Sequence, residues 1–176
     1  PAFEASTRQD ALQTLSSRKT WAMDLVGALE DQRIPRADVT AYTARQLFSL
    51  NDETVSTRLK AVWGELRTSP AEKQQQIATF KKRYTLEAIQ RSDRAAGRAI
   101  FQKTCANCHR FFDAGGKIGP DITGSQRTNL DYLLQTRIDP SAAVNKDYQM
   151  QVLQTIDGRT ITGLIVEESK AAVTIQ

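Results

Sequence analysis

One histidine, two cysteines and two methionines are the only side chains of their kinds in 176 residues. A structural zinc site wants four cysteine or histidine ligands, and this chain supplies three. A second histidine for acid–base work is lacking as well. No apolar run approaches the ~18 residues of a membrane span. The net charge of +4 is mild, and no basic run or basic helical stripe appears, which argues against nucleic acid as a partner. Hydrophobic residues at 40% and charged residues at 25% are ordinary globular values, so neither a disordered nor a membrane class is suggested. The chain starts at Pro1 without a signal-peptide pattern, and Ala171 to Gln176 read as a strand with no closing turn. The expectation is therefore a piece of a longer protein, excised or processed.

What is scarce is also concentrated. Both cysteines and the histidine fall within Cys105-Ala106-Asn107-Cys108-His109. The spacing C-x-x-C-H is the attachment signature of c-type haem: the two thiols bond the porphyrin's vinyl groups, and the adjoining histidine reaches the iron from one face. Other readings of these five residues are weaker. Zinc is short of ligands, and a thioredoxin-like redox pair needs a βαβ setting, whereas the flanks read as a helix before and a glycine-rich loop after. A disulfide from Cys105 to Cys108 closes too small a loop to stabilise much.

Residues 1–92 read as helical. Ala11, Leu12 and Leu15, then Trp21, Leu25, Val26 and Leu29, recur at helical spacing. Pro35 suits a first helical turn. A third helix carries Val39, Tyr42, Leu47 and Phe48 inward, and Asn51 or Asp52 caps a fourth with Val55, Leu59, Val62, Trp63 and Leu66 as its stripe. Ser69-Pro70-Ala71-Glu72 reads as a capping box opening a fifth helix to about Gln90, with Ile77, Phe80, Tyr84, Leu86 and Ile89 apolar. Five such helices make a bundle or a stack of HEAT-like hairpins. Trp21, Trp63 and Met23 read as core, and a scaffold that binds protein partners is one function open to this half.

Residues 93–176 differ. A sixth helix opens near Ser92-Asp93 and contains Gly97, Ile100 and Phe101 before the motif; Gly115, Gly116 and Gly119-Pro120 form a loop that can lie tightly against a flat ligand. A seventh helix with Leu130, Leu133, Leu134 and Ile138 stops at Asp139-Pro140. From Tyr148 the period changes to that of a strand, with a hairpin turn at Asp157-Gly158. A short β-meander is expected to close the chain, its third strand at Ala172 to Gln176.

Gly97 and Phe101 before CANCH, followed by GPDITG at Gly119 to Gly124, resemble the class I cytochrome c pattern. NLDYLL at Asn129 to Leu134, IDPSAAV at Ile138 to Val144, DYQM at Asp147 to Met150 and DGRTITG at Asp157 to Gly163 are more specific. They resemble the haem-binding domain of large planctomycete and verrucomicrobial proteins, in which that domain is commonly fused behind β-propellers similar to soluble sugar dehydrogenases. The resemblance implies a mainly α fold, with a helical bundle over residues 1–92 and a class I cytochrome c-like haem domain over 93–176. It implies one covalent haem c on Cys105 and Cys108, with His109 as the proximal iron ligand. Pro120 matches the proline whose carbonyl accepts the histidine's ring N–H, and Met150 is the candidate distal ligand.

Met150 is preferred to Met23, which lies in a helical core stripe roughly eighty residues before the motif. Lys146 and Tyr148 stand close enough to be substitutes, and Arg127 and Lys117 are candidates to hold the propionates. In ordinary class I cytochromes a C-terminal helix follows the methionine loop and crosses beside Gly97 and Phe101. Strands follow here, so either the helix at 129–138 or the N-terminal bundle is expected to take its place.

The leading expectation is single-electron transfer, from a fused or docked dehydrogenase to a soluble redox acceptor, with no bond chemistry by the protein itself. A haem sensor or peroxidase-like enzyme with a weak or vacant distal site is the alternative. Covalent haem attachment implies maturation in the periplasm or another extracytoplasmic compartment.

Overall fold

A computed structural model describes residues 4–112, 114–124 and 126–176, apart from the side chains of Ala5 and Ser6. The chain is mainly α, with eight helices among the described residues: α1 (Ala5–Leu15), α2 (Lys19–Glu30), α3 (Ala41–Ser49), α4 (Glu53–Val62), α5 (Ala71–Arg83), α6 (Leu86–Gln90), α7 (Arg94–Thr104) and α8 (Leu130–Ile138). Local chemistry starts several of them. Thr40, Asp52, Thr85, Asp93 and Asn129 each turn a side-chain oxygen onto a backbone N–H of the first turn that follows, satisfying donors that a helix start leaves unpaired.

The core belongs to α1–α4. Leu12, Leu25, Val26, Leu29, Val39, Leu47, Val55, Leu59 and Trp63 form one buried cluster, and Ala143, from the far side of the chain, completes it. The indole N–H of Trp63 donates to the Val39 carbonyl at 2.8 Å, so the largest buried side chain has its polar atom satisfied. Trp21 does not share this fate. It is 37% exposed with the Arg18 guanidinium 4.8 Å above its ring, which corrects its expected place in the core; Met23 packs half-buried against the cluster.

The expected fifth helix is two helices. It ends at Arg83, Tyr84 leaves helical geometry (φ −91°, ψ 62°), and Thr85 caps α6. Tyr84 stacks on Phe80 at 5.8 Å, and Tyr84, Leu86 and Ile89 are exposed where an inward stripe was expected. The Ser69 capping box does not form either. Pro70 precedes α5 with no side-chain cap, and the buried Ser69 hydroxyl lies beside Asp139 without the geometry of a formed hydrogen bond.

Helix α8 packs on α5, with Lys81 paired to Asp131 at 2.7 Å. Beyond it, 3-10 turns at Pro140–Ala142 and Lys146–Tyr148 lead into four strands, β3 (Gln151–Gln154), β4 (Thr160–Gly163), β5 (Ile165–Glu168) and β6 (Val173–Ile175). A further pair, β1 (Arg110–Phe111) and β2 (Ala114–Gly115), follows the C-x-x-C-H motif. The expected meander is realised as two antiparallel hairpins, β3 with β4 and β5 with β6. The middle strand breaks at Leu164, whose N–H and C=O turn to Gln176, so its two halves take different partners.

Candidate haem site

Helix α7 ends in the motif. The Cys105 N–H donates to the Phe101 carbonyl at 2.8 Å, and the Cys105 carbonyl accepts from Cys108 at 3.1 Å and from His109 at 2.9 Å. The two cysteines are not bonded to each other, Cys105 half-buried and Cys108 exposed.

Cys105 has two neighbours that the sequence does not announce. Its sulfur lies 3.4 Å from the Thr104 hydroxyl and 3.5 Å from Nη1 of Arg137 on α8. The Thr104 hydrogen bond, then the Arg137 hydrogen bond and charge, hold the thiol below its ordinary pKa against the opposing effect of partial burial.

His109 is held from two sides. Its Nδ1 and the Pro120 carbonyl oxygen are 2.9 Å apart. A carbonyl only accepts, so Nδ1 carries the proton and donates, and Nε2 keeps its lone pair for a metal. Gly119 lies flat against the ring: a Cβ there would come within 2.8 Å of Cε1 and 2.9 Å of Nδ1. Gly115 and Gly116 pack against the carbonyls of His109 and Asn107, so the glycine-rich loop lies tightly against the motif itself.

Phe101 of α7 packs on Phe111 at 5.3 Å, and Phe111 on Phe112 at 4.4 Å. The Arg127 guanidinium stacks over both Phe111 and Phe112, at 5.0 and 5.1 Å, a cation–π arrangement. Gly97 has nothing within 4 Å of an added Cβ, and no residue of α7 is buried. The expectation that α8 or the N-terminal bundle covers this face is corrected, because α8 is engaged by α5 instead.

Met150 follows the Lys146–Tyr148 turn and is 63% exposed. Of its possible substitutes, Lys146 has its ammonium on the Ala61 carbonyl. Tyr148 is half-buried, and burial, then the nearby charges of Asp147 and Asp121, push its phenol up.

These residues suit a covalently attached haem: two unpaired thiols, an imidazole whose tautomer is set by a carbonyl, and a glycine that leaves the ring room. Among the described residues no group of three or more His, Cys, Asp or Glu is arranged to hold a metal ion by itself. Residues 94–163 match the cytochrome c family model. The match runs from the first residue of α7 to the last of β4 and takes in Cys105, Cys108, His109, Pro120, Arg127 and Met150. Neither the curated proteins nor the solved structures returned a match to the chain. No helix among the described residues is long and apolar enough to cross a membrane.

Proposed function

We propose that the cytochrome c region carries one haem c and transfers single electrons. In this reading it belongs to a larger extracytoplasmic, periplasmic protein of the planctomycete and verrucomicrobial kind, accepting electrons from a fused or partner dehydrogenase and passing them to a soluble acceptor. Bound haem supplies the one-electron chemistry, and His/Met ligation raises its potential. The chain supplies the rest. Cys105 and Cys108 would tether the haem and His109 would offer Nε2 to the iron, while Pro120 holds the imidazole plane by accepting from Nδ1, the kind of outer contact that orients a ligand. Met150 would be the second protein ligand and close the iron to exogenous molecules, and Arg127 would hold a propionate.

The observation that carries the reading is the 2.9 Å contact between His109 Nδ1 and the Pro120 carbonyl, within a C-x-x-C-H turn. The test is the absorption spectrum of the purified holoprotein, ferric and ferrous, with and without carbon monoxide. The expected result is a low-spin spectrum with the weak long-wavelength sulfur-to-iron band, lost in Met150→Ala. High-spin iron with fast carbon monoxide binding in the wild type would overturn electron transfer in favour of a sensor or peroxidase-like haem.

A further inference from the structure

The segment from Ala142 to Gln149 has no regular strand of its own, and it ends on Met150. It is held in register by the turn that follows α4 in the helical half. The Arg67 N–H donates to the Ala142 carbonyl at 2.8 Å, Leu66 and Ala143 form an antiparallel bridge, and the Lys146 N–H donates to the Trp63 carbonyl at 2.8 Å. Two outer ties follow the same course: the Lys146 ammonium on the Ala61 carbonyl, and Arg36 with Asp147 at 3.4 Å.

Gly64 stands at the centre of this run. Its φ of +136° is one that other residues rarely adopt, and an added Cβ would come within 2.8 Å of the Val144 carbonyl and 3.3 Å of Gln149 Nε2. That same amide donates to the Val144 carbonyl at 3.2 Å, clasping the last residues before Met150. The far side of the clamp is rigid. Trp63 is 1% exposed in the core and bonded through its indole to Val39.

We infer that the Ala61–Arg67 turn is a positioning clamp for the methionine loop: the helical half decides how firmly Met150 is presented to the iron. The inference rests on Met150 being the distal ligand. With the clamp closed, the methionine-bound state dominates; with it opened, the loop samples states in which an external ligand takes the sixth position. The apparent affinity of that ligand scales with the population of the open state, and local opening of this kind is read by amide exchange.

Three holoprotein variants test this: Gly64→Ala, the double variant Arg36→Gln with Lys146→Gln, and Met150→Ala. Two quantities are measured well below the thermal midpoint, the affinity of ferric iron for imidazole and hydrogen exchange of the Lys146 amide. Gly64→Ala is expected to raise both imidazole affinity and Lys146 exchange about tenfold, and the double variant about threefold, as two exposed ties should. The double variant leaves the core untouched and decides the matter if Gly64→Ala does not fold. Met150→Ala marks the upper limit of imidazole affinity. If Met150→Ala binds imidazole no more tightly than wild type, the ligand assignment fails and the inference with it. If Met150→Ala binds more tightly while the clamp variants only lower the thermal midpoint, the ligand stands and the clamp is refuted.

Discussion

Cys105 and His109 each owe their behaviour to two neighbours. The Cys105 thiol is polarised by Thr104 and Arg137, and thiolate, the reactive form, is favoured when the thiol pKa falls. In the haem-free chain, alkylation of Cys105 by iodoacetamide should therefore begin at lower pH than in Arg137→Gln, with site-resolved mass spectrometry as the readout. Equal pH profiles would leave Arg137 without influence. At His109 the decisive neighbour is an absent side chain. Gly119→Val places carbon where the imidazole stands and should push the ring off the Pro120 carbonyl. Loss of such an outer contact typically weakens ligation about 10- to 100-fold. The ferrous spectrum of the variant should then show a larger fraction of iron without its histidine than the wild type, and identical spectra would leave Gly119 without influence on ligation.

At the scale of elements, the end of α8 is tied to the start of α5 through Asp139. Its carboxylate is fully buried, 2.9 Å from Arg67 and 3.1 Å from Lys73. Desolvation works to raise its pKa, but the adjacent Ser69 hydroxyl, the Lys73 hydrogen bond and the charges of Arg67 and Lys73 outweigh it, and the net direction is down. A carboxyl held below its ordinary value stabilises the fold above the unfolded-state pKa and loses that contribution as pH falls through the folded-state value. Urea midpoints of wild type and Asp139→Asn should thus differ at neutral pH and converge below about pH 4. Parallel curves across that range would show that Asp139 is not the titrating group. The break between α5 and α6 is set at this scale too, because Thr85 caps a new helix while Tyr84 stacks back on Phe80.

For the whole molecule, the cut at residue 92 passes between parts that touch. Leu134, Ala142 and Ala143 are buried, and Ala143 joins the α1–α4 cluster. A fragment of residues 93–176 should leave the Lys146 amide close to unprotected in hydrogen exchange, while the full chain protects it through its bond to the Trp63 carbonyl. Equal protection in the two would show that the haem half holds its methionine loop unaided.

Much of the site was legible because it is local. Cys105, Cys108 and His109 lie within one turn, and the caps at Asp52, Asp93 and Asn129 bond to residues two or three positions away, distances that adjacent side chains set by themselves. Pro120 was legible through resemblance, and its carbonyl meets His109 only because the glycine loop folds back over the motif. The helical period treats Trp21 and Trp63 alike; packing alone put Trp63 in the core and left Trp21 under Arg18. The approach of Arg137 to Cys105, the open face of α7 and the hold of Ala61–Arg67 on the loop before Met150 were likewise decided by tertiary structure. Their partners lie tens of residues apart, so no local pattern encodes them. The sequence by itself determined which chemistry the chain can carry; the fold decided what presses on the residues that carry it.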